Sequence, residues 1–117
     1  MNYTCAIVEQ EPLAETTLKR YIGRTGFLDL VWSVSSVEEA STQEVVDLLL
    51  IAMDMLSDAS DRDFIHLVAS HKHVIITSIY PPNSEDALSS LVAYLTKPIS
   101  FDAFTEAMEK FLEKKSE

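Results

Sequence analysis

Apolar residues in this chain cluster into short runs that are separated by more polar segments with helical spacing. Continuous apolar stretches of strand length predict five strands, at residues 5–8, 27–34, 46–53, 73–78 and 92–96. The third run is apolar at nearly every position, which is typical of a central strand that is buried on both faces of a parallel sheet.

The first predicted helix starts at Pro12, because proline lacks the N–H group that would be unpaired in the first helical turn anyway. Either Gly23 or Gly26 is predicted to end this helix. Its predicted apolar face consists of Leu13, Leu18, Tyr21 and Ile22.

Helical spacing predicts four further helices: one over about 35–44, one after the polar loop 56–61, one over about 85–90 and a last one over about 100–112. The predicted inner stripe of the last helix is Phe101, Phe104, Met108, Phe111 and Leu112. Strands that alternate with helices predict the α/β class, as a doubly wound parallel sheet of five strands with five helices. The length predicts a single domain over residues 1–117.

Composition and charge narrow the function classes. The chain has 47% hydrophobic residues with only two glycines, which predicts an ordered globular domain. Its formal net charge of −10 disfavours nucleic-acid binding by this domain. No apolar run approaches the ~20 residues of a membrane span. The single cysteine, Cys5, excludes an internal disulfide and is predicted to be a buried hydrophobe in a cytoplasmic protein.

Three sequence blocks occur in an order that resembles a known family. They are AIVEQEPLA at 6–14, VIITSIY at 74–80 and YLTKPISF at 94–101. In this order and spacing the chain resembles a response-regulator receiver domain, most closely the receivers of LytTR-type response regulators. The resemblance implies a flavodoxin-like, three-layer α/β/α fold with strand order 2-1-3-4-5. It also implies a role in bacterial two-component (phosphorelay) signal transduction.

The resemblance implies a phosphorylation pocket at the carboxyl ends of the strands. In active members two acidic residues after strand 1 hold Mg²⁺, and an aspartate at the end of strand 3 takes phosphate from a histidine kinase. A Ser or Thr after strand 4 and a Lys after strand 5 then bond the phosphoryl oxygens. The matching positions in this sequence are Glu9, Gln10, Ala52, Ser78 and Lys97.

Two departures from that pattern predict a pseudo-receiver that acts without phosphorylation. Ala52 stands where the acceptor aspartate belongs, and Gln10 replaces one acidic residue. We therefore expect no enzymatic activity, no cofactor and at most a weak Mg²⁺ site at Glu9 and Gln10. We expect a Lys97–Glu9 ion pair, joined by Gln10, to fill the pocket; the alternative is a lysine that points into solvent. The resemblance also implies a cis peptide bond before Pro98.

The same residues leave two alternatives open. Asp54 lies two residues after Ala52 and could face the same way if the strand continues, as a displaced phospho-acceptor. Otherwise Asp54 is a solvated aspartate at a strand end. In the second alternative the emptied pocket binds a small negatively charged ligand near Lys97.

Other polar residues are interpreted as surface groups. The acidic residues of one loop lack the glycine and the distal glutamate of a calcium-binding loop; they are Asp58, Asp61 and Asp63. The three histidines are also predicted to lie at the surface without a metal; they are His66, His71 and His73.

The resemblance implies protein partners: a histidine kinase, an output domain or another regulator. The implied partner face is formed by the fourth helix, the fifth strand and the fifth helix, and a homodimer would use the same face. Tyr94 matches the family's aromatic switch residue, and its other interpretation is a half-buried strand aromatic. Pro81 and Pro82 are expected to stiffen the start of the fourth helix.

Overall fold

The computed structural model describes residues 2–53, 61–80 and 91–116. In this part of the chain five strands form one parallel sheet in the order β2-β1-β3-β4-β5. The strands are β1 (Tyr3–Val8), β2 (Leu28–Val34), β3 (Leu48–Ala52), β4 (Val74–Ser78) and β5 (Leu91–Thr96). The predicted fold class and strand order are therefore confirmed.

Four helices lie in the described residues: α1 (Pro12–Thr25), α2 (Val37–Ala40), α3 (Asp61–Ala69) and α4 (Phe101–Lys115). The α4 of this structure is the last helix predicted from the sequence. The predicted helix at 85–90 and the Pro81–Pro82 segment lie outside the described residues. Helix α2 is shorter than predicted, because Ser36 caps it through the Glu39 N–H at 3.1 Å and turns follow directly after Ala40.

The observed ends of α1 can be compared with the predicted ones. Pro12 is its first residue, as predicted. Of the two candidate glycines, Gly26 ends the helix, with a φ of 85° that places it in the left-handed region favoured by glycine. Two contacts hold the helix to the segment between β5 and α4. The Tyr21 hydroxyl donates to the Ile99 carbonyl at 2.8 Å, and the Arg24 guanidinium lies 4.0 Å from the centre of the ring of Phe101, the first residue of α4.

Side chains that alternate along the strands build two hydrophobic layers, one on each face of the sheet. The layer under α1 and α4 contains Cys5, Ile7, Leu48, Leu50, Ile75, Leu95, Leu18, Phe104 and Phe111. The layer under α2 and α3 contains Ala6, Val8, Leu49, Ile51, Ile76, Val37, Phe64 and Val68. Cys5 is fully buried as predicted, and this burial raises the pKa of its thiol to about 12.

Two predicted core positions are wrong. Leu13 is 77% exposed, because it lies roughly 140° around α1 from Leu18, at about 100° per residue, and so outside the buried stripe. Leu112 is 38% exposed, because it lies one position past Phe111 at the edge of the inner stripe of α4.

The histidines differ from one another. His66 is exposed as predicted, and His73 is half-buried with its ring edge-on to Phe111 at 5.4 Å. The prediction of a surface position is wrong for His71, which is only 3% exposed. Its Nδ1 lies 3.0 Å from the Leu67 carbonyl, which holds the ring against the last turn of α3.

Candidate functional site

The carboxyl ends of the strands bring four side chains to one edge of the sheet, on the face that α1 and α4 cover. Alternation along β1 and β3 places Glu9 and Ala52 on this face, beyond the buried residues of the α1–α4 layer. The same alternation places Thr77 there from β4 and Lys97 after β5. These four positions form the candidate site.

Lys97 and Glu9 form a buried ion pair at this edge. Nζ of Lys97 lies 2.9 Å from Oε1 of Glu9, and the two side chains are only 9% and 2% exposed. The other oxygen of Glu9, Oε2, accepts a hydrogen bond from the Glu11 N–H at 3.0 Å. The predicted ion pair is therefore present, and the alternative of a lysine that points into solvent is wrong.

Gln10 does not join this pair. Its side chain is exposed and makes no hydrogen bond to Glu9 or Lys97. The prediction that Gln10 joins the ion pair is therefore wrong. The reason is the alternation of side chains: Glu9 continues the inward direction of β1 towards α1 and α4, and the next residue turns away from it.

Ala52 is the last residue of β3 and is 1% exposed. It lies opposite Thr77 in the β3–β4 ladder, and the hydroxyl of Thr77 is buried without a hydrogen-bond partner among the described residues. Sequence reasoning did not single out Thr77. The alternation of side chains along β4 could have identified it, because Thr77 and Ile75 lie on the same face of the sheet as Ala52.

Ser78, the position matched to the family's Ser/Thr, ends β4 and is 2% exposed. Its hydroxyl accepts a hydrogen bond from the Tyr80 N–H at 3.1 Å, and its carbonyl accepts one from the Lys97 N–H at 2.7 Å. The Lys97–Pro98 peptide bond is cis, as the resemblance implied. Ser78 thus connects the backbone of the Lys97 turn with the segment after β4.

Tyr94 lies on β5 and is half-buried. Its hydroxyl donates to the Tyr80 carbonyl at 3.1 Å. The geometry is that of a half-buried strand aromatic held to the segment after β4. A switching role for Tyr94 stays a prediction, and so does the partner face that includes residues 85–90, since those residues are outside the described part of the chain.

Among the described residues, Glu9 is the one candidate carboxylate ligand from the strand ends at this edge, and the expectation of at most a weak Mg²⁺ site stays a prediction. Mg²⁺ prefers several oxygen ligands in octahedral geometry. One Glu9 oxygen faces the Lys97 ammonium and the other accepts the Glu11 N–H, while Ala52 has no oxygen donor in its side chain. Within residues 2–53, 61–80 and 91–116 there is also no group of three His, Cys, Asp or Glu residues that could hold a metal ion. Asp54 lies outside these residues, so its role as an acceptor stays a prediction.

A cleft of about 550 Å³ lies beside the ion pair, between α1 and the Lys97 turn. Apolar side chains form much of its wall, and two of them are well exposed: Leu13 at 77% and Ile79 at 55%. The full lining is Glu11, Leu13, Ala14, Thr17, Arg20, Tyr21, Ile79, Lys97, Pro98 and Ile99. Apolar surface that is exposed beside a cleft is typical of a binding surface.

A second polar cluster lies at the opposite ends of the strands, around Asp47. Its carboxylate accepts the Thr4 N–H at 2.9 Å and lies 3.3 Å from Lys115 Nζ at the end of α4. The backbone hydrogen bond from Thr4, with help from Lys115, holds the pKa of the Asp47 carboxyl below its usual range. Burial, then the positive charges of Lys115, Lys114 and Lys72, lower the pKa of His73 beside it.

The described residues contain no helix that is long and apolar enough to cross a membrane. No protein-family model matches the sequence, and no curated protein matches it.

Solved structures with the same fold include receiver domains. The response regulatory domain of protein mrkE from Klebsiella pneumoniae has a TM-score of 0.76 at 16% identity, over 95% of this chain and 96% of that chain. The signal receiver domain of a modulated diguanylate cyclase from Desulfovibrio desulfuricans has a TM-score of 0.76 at 24% identity, over 99% and 98% of the two chains. The signal receiver domain of an HD domain-containing protein from Pseudomonas fluorescens has a TM-score of 0.75 at 18% identity, over the full length of both. The chain therefore has the receiver fold.

Proposed function

We propose that this chain is a pseudo-receiver of two-component signal transduction, which acts by binding proteins and does not take part in aspartyl phosphotransfer. The observation that carries the proposal is the Lys97–Glu9 ion pair, at 2.9 Å, beside Ala52 at the end of β3. The receiver fold and the three sequence blocks that resemble LytTR-type receivers support the assignment to this signalling system.

The chemistry of the acceptor position supports the loss of phosphotransfer. An acyl phosphate forms when a carboxylate oxygen attacks phosphorus and the bond from phosphorus to the donor breaks, which is P–N in a phosphohistidine and P–O in acetyl phosphate. The methyl group of Ala52 has no lone pair with which to begin this step. Glu9 also neutralises Lys97, whereas a working receiver needs that ammonium to meet the phosphoryl oxygens.

Without a phosphoryl group, regulation must come from partners that bind one conformation better than another. The proposed partners are a histidine kinase, an output domain or another regulator. Tyr94 and the exposed side of α4 belong to the proposed partner face, because β5 is an edge strand of the sheet and α4 packs against it.

The test is the intact mass of the protein after incubation with Mg²⁺ and acetyl phosphate, with a phosphorylatable receiver domain as the positive control. We expect no phosphate-sized gain under conditions that label the control. The Asp54→Asn variant is measured in parallel. A gain in the wild-type chain that vanishes in Asp54→Asn would overturn the proposal and identify Asp54 as a displaced acceptor. A gain that persists in Asp54→Asn would also overturn it and would direct mapping to another side chain.

A further inference from the structure

A cavity of about 260 Å³ lies at the amino ends of the strands, away from the Lys97–Glu9 pair at their carboxyl ends. It is bordered by the start of β1, the segment before β3, the turn before β4 and the end of α4. The described lining is Thr4, Val45, Val46, Asp47, Ser70, Lys72, His73 and Lys115. Four separate segments of the chain therefore meet around this cavity.

Lysines from two different parts of the chain converge on the cavity. Lys72 comes from the turn before β4, whereas Lys114 and Lys115 lie in the last turn of α4. After burial, the charges of these three lysines lower the pKa of His73, so all of them act on the same ring. The dipole of α4 accounts for lysines in its last turn but not for Lys72, which lies outside the helices. A local concentration of positive charge in a chain with a net charge of −10 points to an anionic ligand.

Contacts within the chain hold the side chains around the cavity in place. Lys115 Nζ donates to Oδ1 of Asp47 at 3.3 Å and lies 5.4 Å from the centre of the Tyr3 ring. An ammonium group has three N–H donors, and the contact with Asp47 uses one of them. The His73 ring is held edge-on to Phe111, with the ring centres 5.4 Å apart. A ligand would therefore meet groups that are already ordered, which lowers the entropic cost of binding.

The charge of the cluster matches a divalent anion. The backbone hydrogen bond from Thr4 lowers the pKa of Asp47, so Asp47 is ionised at neutral pH, and the lowered pKa of His73 keeps that ring neutral. Three positive lysines and one negative aspartate leave a net charge of +2, which one dianion neutralises. A water molecule occupies about 30 Å³ in the liquid, so the cavity has room for a tetrahedral oxyanion together with several waters.

We propose that this cavity binds a divalent oxyanion, such as a phosphate group, between Lys72 and Lys115. The ligand joins the end of α4 to the turn before β4. A lysine ammonium suits this role because it binds phosphate as a point charge, without the fork geometry of arginine.

Binding of the dianion is coupled to protonation of His73. The charged groups that face the His73 ring are Lys72, Lys114, Lys115 and Asp47. A dianion among them favours the imidazolium form, so it raises the pKa of His73. By linkage, the same ligand binds more tightly as the pH falls towards the pKa of His73.

The first experiment follows the His73 imidazole by NMR during titration with sodium sulfate, with sodium chloride adjusted to keep the ionic strength constant. Sulfate stays a dianion between pH 5 and pH 8. The His73 signal is followed instead of the melting temperature, because sulfate also stabilises folded proteins by exclusion from their surface. We expect a saturable shift and a His73 pKa that is higher in sulfate than in chloride. His66, which is exposed on α3, is the internal control and should have the same pKa in both salts.

A matched pair of lysine variants tests the position of the site. Lys72→Gln should weaken sulfate binding about fivefold, because it removes one charge from the cluster. Lys72 is exposed, so this variant is expected to fold. The control is Lys19→Gln, because Lys19 is also an exposed lysine but lies on α1, which does not border the cavity.

The source of the oxyanion is tested with inorganic phosphate and glycerol 3-phosphate at pH 8, where both are dianions. Equal affinity for the two would support a site for the free anion. Tighter binding of glycerol 3-phosphate would support a site for a phosphate group that is carried by a small molecule.

Three outcomes would overturn the proposal: a His73 pKa that is the same in sulfate and chloride, a shift that does not saturate with any of the three anions, or binding that Lys72→Gln leaves unchanged. The proposal does not depend on the pseudo-receiver function. A phosphate-sized mass gain with acetyl phosphate would overturn that function and leave the result at His73 standing.

Discussion

Nζ of Lys97 lies 2.9 Å from Oε1 of Glu9, with both side chains almost completely buried, so a cation from the turn after β5 is paired with an anion from the end of β1. This pair spans the edge of the sheet where Ala52 ends β3. Both charges have left water, and each compensates the desolvation cost of the other. The stability of this edge therefore depends on having both members of the pair.

Removing one member of the pair should cost much more than removing a surface ion pair. Glu9→Gln keeps an acceptor for the Glu11 N–H but leaves the Lys97 ammonium without this carboxylate. We expect a loss of about 3 kcal/mol in the free energy of unfolding, measured by urea denaturation. The control is Lys19→Gln, because Lys19 is 48% exposed in its 3.5 Å pair with Glu15 and this pair should be worth less than about 0.5 kcal/mol. Equal losses in the two variants would show that the buried pair is not structural.

The double variant Glu9→Gln with Lys97→Met separates the cost of burying the Lys97 charge from the attraction between Lys97 and Glu9. Replacing both charges removes the buried cation together with the carboxylate that pairs with it, so we expect the double variant to be more stable than Glu9→Gln alone. A double variant that is less stable than the single one would contradict this interpretation. The same urea transitions provide the measurement.

The Thr77 hydroxyl is buried and has no hydrogen-bond partner among the described residues, so it should cost a little stability. Thr77→Val exchanges this hydroxyl for a methyl group of similar shape next to Ala52. We expect the free energy of unfolding to rise by about 1 kcal/mol, because the cost of an unsatisfied polar group is removed. Thr77→Ala is the comparison, and it should destabilise because it leaves a cavity. A loss of stability in Thr77→Val would show that the hydroxyl has a partner in solution.

Asp47 should contribute to stability at neutral pH and lose this contribution in acid. Its folded pKa is lowered, so the contribution is fully present above the ordinary pKa of aspartate and disappears as the pH falls through the lower folded value. The side chain is 37% exposed, so solvent screening keeps the effect small. Urea midpoints between pH 7 and pH 3 should fall more in the wild type than in Asp47→Asn. Parallel curves for the two proteins would contradict the prediction.

His73 should make the fold less stable as the pH falls below the ordinary pKa of histidine. Its folded pKa is lowered, so the unfolded chain takes up the proton first. Stability is therefore complete above the ordinary value and declines as the pH falls from it towards the folded value. His73→Gln should flatten the pH dependence of the urea midpoint in this window. His66→Gln, an exposed position on α3, should leave it unchanged.

Much of the fold follows from local patterns. Short apolar runs predicted all five strands within about two residues. Pro12 predicted the start of α1, and the sequence offered either Gly23 or Gly26 as its end. Strand β3 starts at Leu48, two residues later than predicted. The Asp47 carboxylate accepts hydrogen bonds from the N–H and the hydroxyl of Thr4, so these side-chain contacts take the place of backbone pairing between β1 and β3 before Leu48. The resemblance to receiver domains implied that Glu9, Ala52 and Lys97 belong to one site.

The sequence alone determined which segments are helices and which are strands, and which residues stand at the end of each strand. It could do so because backbone preferences and apolar spacing act over a few residues. Only the tertiary structure decided which side chains meet. It exposed Leu13, buried His71, turned Gln10 away and brought Thr77 next to Ala52. These outcomes depend on how each helix is rotated against the sheet and on which side chains of each strand face which side of it. Both are set by packing between segments that are distant in the sequence.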